Sequence, residues 1–250
     1  MDKFIQNIAK QAGRSLLQRF HKVGVKYTKA NITDVVTEAD LVSNQIIIEA
    51  IKKKYPSHGI ISEETGGFQE NAEYIWIIDP LDGTLNFASG IPLFQVMIGL
   101  AYKNKMQLAV VYDPLHRELY FAKAGHGAFL NGKRIKCAAK KEIYGTYGYP
   151  DFPISESNLK IINNLLKINK GIWFSGIVSI VSQVAVAAGR TDWYISRGGP
   201  VWEYAQIALI MQEAGCRVTN FSGRKWRLYD KELLATNKYL HPKLLKLVNE

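Results

Sequence analysis

The segment Tyr74-Ile75-Trp76-Ile77-Ile78-Asp79 constrains this fold more than any other. Its successive apolar and aromatic side chains leave no polar face for water, so the run reads as a buried strand. It ends in a carboxylate followed by Pro80, which delivers an acid to the end of a sheet. Asp82 follows, then Gly83 and Thr84. Two carboxylates on one tight turn repel unless a hard cation sits between them, and oxygen donors of this kind are what Mg²⁺ prefers. A helix beginning at Gly83 would aim its backbone N–H groups at the same place and hold a phosphate, glycine permitting close approach. A D-x-x-D-G alone is also an ordinary capped turn.

The rest of the first half reads as α+β. Phe4, Ile5, Ile8, Ala12, Leu16 and Leu17 share one helical face, with no signal-peptide cleavage pattern. Glu38 to Tyr55 repeats apolar residues at helical spacing, with Thr37 or Asp40 as the capping group and Pro56 beyond its end. Leu93 to Tyr102, Gln107 to Tyr112 and Glu118 to Ala122 are strand-like and separated by turns, which predicts an antiparallel meander. From about Ile143 the pattern alternates. Strands are expected at Tyr144–Tyr149, Gly171–Phe174, Asp192–Ile195, Arg217–Thr219 and Leu233–Thr236. Helices are expected at Ser155–Ile168, Ile177–Ala188, Trp202–Ala214 (Gly215 as its C-terminal cap) and His241–Val248. The chain is thus α/β, with an α+β half over 1–142 and an α/β half over 143–250. No linker or repeat separates them, so a seam within one globule is expected.

Composition excludes several classes. With 47% hydrophobic and 22% charged residues among 250, the chain is neither disordered, collagen-like nor a coiled coil. No apolar stretch is long enough to span a bilayer, and a soluble protein is expected. Cys137 and Cys216 belong to no C-x-x-C or Cys/His cluster, so neither a disulfide framework nor a zinc site is suggested and a reducing cytoplasm suits the chain. The net charge of +10 fits nucleic acid, a phosphorylated substrate or simply a basic surface. The basic clusters at Lys133–Lys141 and Arg224–Arg227 lack a zinc finger or an RNP-type aromatic pattern, so solvated surface is favoured and nucleic acid is left open. Gly127 to Arg134 satisfies G-x-x-x-x-G-K but ends in arginine where a P-loop needs Ser or Thr.

Two further acidic segments complete the pattern: Asp34-Val-Val-Thr-Glu-Ala-Asp40, and Ile61-Ser-Glu63-Glu64-Thr65. Together with Asp79 to Phe87, and with Trp202-Glu203-Tyr204-Ala205 before Glu213-Ala-Gly215, they resemble the inositol monophosphatase family across nearly the whole chain. The resemblance implies a layered αβαβα sandwich of the inositol monophosphatase and fructose-1,6-bisphosphatase type. It also implies a lithium-sensitive phosphomonoesterase using two or three Mg²⁺ ions, and a homodimer. Glu63, Asp79, Asp82 and the Leu81 carbonyl match the family's metal ligands. Asp40 and Thr84 match a dyad that orients the attacking water, Gly83 and Thr84 match phosphate-holding N–H groups, and Asp34 and Glu64 match supporting acids.

Two departures bear on rate and substrate. Glu203 stands where the family places a metal-ligating Asp; it is either a ligand on a longer stem or an acid favoured by a helix N-terminus. Ser196 replaces a Glu that binds inositol hydroxyls, and Arg197 beside it is either a contact for a second phosphate or surface. Ser175 matches a position near the substrate. The substrate expected is a small sugar or polyol phosphate such as inositol 1-phosphate. Fructose 1,6-bisphosphate, histidinol phosphate and 3′-phosphoadenosine nucleotides are alternatives, and a weakened enzyme acting as a basic RNA- or protein-binding partner is a reading from another class.

Overall fold

The computed structural model describes residues 1–22, 24–28, 35–151, 155–168 and 181–250. Asp34, Ser175, the strand expected at Gly171–Phe174 and residues 177–180 of an expected helix lie outside the described residues. In chain order the first elements are α1 (Asp2–Arg19), β1 (Val25–Thr28), β2 (Val35–Thr37), α2 (Glu38–Lys54), β3 (Gly59–Ser62), β4 (Gly66–Phe68), β5 (Tyr74–Asp82) and α3 (Thr84–Ala88). The meander follows as β6 (Gln95–Tyr102), β7 (Lys105–Asp113), β8 (Glu118–Lys123), β9 (Gly127–Leu130) and β10 (Lys133–Arg134). The last are β11 (Gly148–Asp151), α4 (Glu156–Ile168), α5 (Val181–Ala185), β12 (Trp193–Arg197), α6 (Val201–Glu213), β13 (Arg217–Thr219), β14 (Glu232–Thr236) and α7 (His241–Asn249).

Hydrophobic patterning sorts these elements into five layers. The larger sheet has the order β10-β9-β8-β7-β6-β5-β3-β4, antiparallel except where β3 runs parallel to β5. Along β5, Trp76 and Ile78 pack toward α1 and α2 with Ile5, Ile8, Leu16, Ile47 and Ile51. Ile75 and Ile77 pack the other way, with Ile207 and Met211 of α6, as strand alternation requires. Helix α6 is buried on all sides from Tyr204 to Met211, which is the pattern of a helix enclosed between sheets. Beyond it lies the second sheet, β11-β12-β14-β13. The far face of that sheet carries Trp193, Ile195 and Leu234 against Ile161 and Leu165 of α4 and Leu244 and Leu247 of α7. The order is therefore helices, sheet, helix, sheet, helices: the αβαβα sandwich.

Most expected elements stand within a residue or two of their predicted bounds. The strand placed at Tyr144–Tyr149 is corrected to Gly148–Asp151. Gly145 has φ 69° and Thr146 bonds back to the Ile143 carbonyl through N–H and hydroxyl, so a turn occupies its first half. The exposed β1 pairs antiparallel with β2, whose three residues are buried; neither strand alternates, and the pair gave no sequence signal. Cys137 and Cys216 are free, and their thiols hydrogen-bond to each other where the segment after β10 meets the end of α6. Among the described residues, no helix is long and apolar enough to cross a membrane.

A buried histidine offers a test of packing at the closing helix. His241 is fully buried, Nε2 lies 2.9 Å from the Thr219 hydroxyl, and burial, with Arg217 adding to it, pushes its pKa down to about 4. The folded chain thus keeps this imidazole neutral while the unfolded chain protonates it near 6.5, so stability falls as pH drops through that window. Relative to His241→Asn, the wild type is expected to lose up to about 3 kcal/mol of unfolding free energy between about pH 7 and about pH 4 in denaturant titrations. A constant difference across that range would mean His241 titrates normally.

Candidate functional site

A one-residue bulge brings the two aspartates of β5 to one side. In a regular strand, residues three apart face opposite ways. Here Asp79 pairs with Met97 but Asp82 pairs with Gln95, so three steps on β5 oppose two on β6. Parity is reset, Leu81 turns into the α1–α2 core, and Asp82 joins Asp79 on the α6 side. Pro80 is tolerated in this inner strand because the bulge needs no ladder bond from it. Helix α2 fixes the geometry from behind: Ser43 Oγ donates to the Pro80 carbonyl at 2.7 Å, and Ser62 Oγ donates to Asn44 Oδ1 at 2.7 Å.

The acids converge at this end of the sheet. Glu63 leaves β3 two residues after Ile61, on the same face, and its N–H donates to the Ile78 carbonyl at 3.2 Å. Glu203 enters from the first turn of α6, after Pro200, and its carboxylate lies so close to Gly199 that a Cβ there would collide with it. Burial, then the charges of Glu63, Asp82, Glu203 and Asp40, hold the Asp79 carboxyl well above the usual range. Asp82, partly accessible at the rim, is raised by the same burial and by Glu203, Glu63 and Asp151, against a hydrogen bond from the Gly83 N–H. Gln95 Nε2 donates to Asp82 Oδ2 at 3.0 Å.

Asp40 belongs to a second arrangement, on the other face of the same edge. Thr37 and Asp40 form a capping box at the start of α2: Asp40 Oδ2 accepts from the Thr37 N–H at 2.8 Å and its hydroxyl at 2.6 Å. Its other oxygen lies 2.8 Å from Thr84 Oγ1, which is also 2.8 Å from the Leu81 carbonyl. Burial raises the Asp40 pKa, opposed by these hydrogen bonds. Gly83 caps α3 at φ 90°, a conformation glycine alone adopts freely. The first helical bond runs from Phe87 N–H to the Gly83 carbonyl, so the N–H groups of Thr84 and Leu85 have no acceptor within α3.

The remaining residues singled out in the sequence sit elsewhere or do other work. Glu64 is half-buried beside Glu63. Ser196 is buried, its hydroxyl donating to the Asp151 carbonyl at 2.7 Å and lying 2.9 Å from the Tyr204 hydroxyl. Arg197 pairs with Glu232 at 3.3 Å and covers the Phe221 ring. Two contributors gave no signal of their own: Gln95, which holds Asp82, and Asp151, whose charge reaches Asp82 from the end of β11.

A divalent cation fits this donor set. The donors are oxygen throughout, and the buried carboxylates raise one another's pKa for want of a counter-charge. Among the described residues the acids do not form a closed cage of three or more ligating side chains. They lie within electrostatic reach of one another, with Glu63, Asp79, Asp82, Glu203 and the Leu81 carbonyl as the groups that would hold the ion.

Comparison with known proteins gives concordant findings. A family model described as the inositol monophosphatase family matches residues 1–250. The Nus factor SuhB of Pseudomonas aeruginosa is 35% identical over 96% of this chain and 92% of that one. The fructose-1,6-bisphosphatase/inositol-1-monophosphatase of Thermotoga maritima is 32% identical over 99% of this chain and 95% of that one. Among solved structures, the extragenic suppressor protein suhB of Bartonella henselae superposes with a TM-score of 0.91 at 30% identity, covering 99% of this chain and 98% of that one. An IMPase/NADP phosphatase complexed with Mg²⁺ and phosphate gives 0.85 at 25% identity, covering 99% and 94%.

Proposed function

We propose, from the premise that this chain belongs to the inositol monophosphatase family, that its acidic site hydrolyses a small phosphomonoester with Mg²⁺ as cofactor. The observation that carries the reading is the meeting of four mutually repelling carboxylates with a Thr84–Asp40 pair at one sheet end. Asp40 accepts the Thr84 hydroxyl proton, which leaves the Thr84 oxygen to accept from, and so orient, a water molecule. That water attacks phosphorus, the ester P–O bond breaks, and the alcohol departs with a proton. The N–H groups at the start of α3 hold phosphate oxygens. When bound, Mg²⁺ supplies the positive charge that offsets the developing negative charge and makes water more acidic. Glu63, Asp79, Asp82, Glu203 and the Leu81 carbonyl hold it.

The substrate is a small sugar or polyol phosphate such as inositol 1-phosphate, the class named for the Thermotoga maritima relative. The test is phosphate release from inositol 1-phosphate, fructose 1,6-bisphosphate, histidinol phosphate and 3′-phosphoadenosine 5′-phosphate, each with a chelator control. Release that requires Mg²⁺ and favours one substrate supports the reading. No release from any of them by folded protein overturns it and favours a binding role of the kind the Nus-factor name of the Pseudomonas aeruginosa relative carries.

Glu203→Asp tests the family departure. The Glu203 carboxylate packs against the Gly199 backbone and is the largest charge acting on Asp82, so the local structure is built around the longer stem. Shortening it by one methylene moves the carboxylate by more than the roughly 0.5 Å that a good site tolerates. The Mg²⁺ concentration for half-maximal activity is expected to rise about 10-fold, within the range seen when groups supporting a metal are lost. A lower requirement would mean that Glu is a handicap here.

A further inference from the structure

At the end of α6 opposite Glu203 the surface opens into a groove of about 790 Å³. Strand β6 measures the separation: it runs from Gln95, beside Asp82, to Tyr102, next to the groove, and eight residues at about 3.3 Å each place the groove roughly 25 Å from the acids. Five cations line it: Lys103 and Lys105 from the β6–β7 turn, and Arg224, Lys225 and Arg227 from the loop before β14. Its only lining carboxylate among the described residues, Glu213, is already engaged by the N–H groups of Gly125 at 2.8 Å and Gly127 at 2.7 Å. Lys103 pairs with Glu73 and Arg224 with Asp230, whereas Lys105, Lys225 and Arg227 enter no ion pair among the described residues.

Two aromatic residues complete the groove. Trp226 is 6% exposed and forms part of the groove wall, its buried indole N–H without an acceptor among the described residues. Tyr229 is 49% exposed and held at φ 75°, a left-handed conformation that non-glycine residues adopt at a cost. Cations ranged along an open groove with an exposed ring at its rim are the elements by which single strands are held: backbone phosphates along the charges, bases stacked on aromatic faces. A second copy of the chain fits poorly, because a two-fold contact would set this positive groove against its equivalent.

We propose that this groove binds single-stranded nucleic acid, with phosphates along the five cations and a base on Tyr229. The site is separate from the acidic one and does not depend on the phosphatase reading. It is tested by fluorescence anisotropy of a labelled oligouridylate of about 12 nucleotides, titrated with the full chain at several salt concentrations. Five phosphate contacts give a slope of log affinity against log salt of about −3.5. The triple variant Lys105→Glu, Lys225→Glu, Arg227→Glu is expected to bind at least 10-fold more weakly with a slope shallower by about 2, its Mg²⁺-dependent phosphate release unchanged. Tyr229→Ala is expected to weaken binding about 5-fold or more without altering the slope. Wild-type affinity in the triple variant overturns the proposal. So does displacement of the oligomer by uridine monophosphate at equal nucleotide concentration, which means a mononucleotide site. Equal binding of polyglutamate, with Tyr229→Ala without effect, also overturns it and means an acidic protein segment.

Discussion

Asp82→Asn is expected to lower Mg²⁺-dependent phosphate release by on the order of 10³-fold while leaving the chain folded. The same substitution has an opposite effect on stability when no metal is present. Burial and their neighbours' charges raise the Asp79 and Asp82 carboxyl groups above the ordinary value of 3.8, so the folded state holds protons that the unfolded state has released. Metal-free protein therefore loses stability as pH rises from that value through the raised pKa values, because each proton released adds to the repulsion. Asn removes one of the repelling charges and can keep its bond with Gln95 by presenting its amide oxygen. In chelator at neutral pH the variant is expected to melt several degrees above the wild type, at about 2–4 °C per kcal/mol. With saturating Mg²⁺ the order reverses, because only the wild type gains binding energy on top of its fold. A Tm difference that ignores Mg²⁺ would remove Asp82 from the metal site, and near-normal turnover would remove it from the chemistry.

Thr84→Val is expected to cost on the order of 10²- to 10³-fold in turnover with little change in substrate affinity, the range for loss of one positioned proton-transfer partner. Valine keeps the shape of threonine, so α3 and its Gly83 cap stay in place. What goes is the hydroxyl lying 2.8 Å from both Asp40 and the Leu81 carbonyl. Asp40 keeps both bonds from Thr37, so the capping box survives and stability falls by only about 1 kcal/mol. Asp40→Asn is expected to lose a similar share of turnover, because its amide would donate to Thr84 where the carboxylate accepted. The two act as a unit, so the double variant is expected to be no slower than the worse single one. Additive losses would show that Asp40 and Thr84 serve separate steps, and Thr84→Ser retaining most activity would tie the effect to the hydroxyl.

Local features were the legible part of this molecule. The buried β5, and the apolar repeats of α1 and α2 at helical spacing, are each determined within one strand or a few turns, and their residues announce them. The bulge that unites Asp79 and Asp82 was not legible, because it depends on the register of Met97 and Gln95 on the neighbouring strand. Gln95 reads as an ordinary strand residue until that register is known, and Asp151, beyond the strand expected at Tyr144–Tyr149, carries no signal until β11 lies beside β12. Arg197 reads equally as a substrate contact or as surface because its partner Glu232 lies on another strand of its sheet. Arg224, Lys225 and Arg227 read as a solvated charge run for the same reason: Lys103, Lys105 and the shared groove come from a turn some 120 residues earlier. Chemistry set by neighbours in space is invisible where those neighbours are far in sequence.

That Glu203 reaches the acids from a helix of the other half also bears on the protein's birth. Glu63 and Glu203 are 140 residues apart (203 − 63), so at 5–20 residues per second roughly 7 to 28 seconds of translation separate the first acid from the last. From the completion of β10 at Arg134 until α6 follows, the nascent chain carries a sheet whose α6-facing side has no helix to cover it. Premature chains would therefore be both inert and sticky.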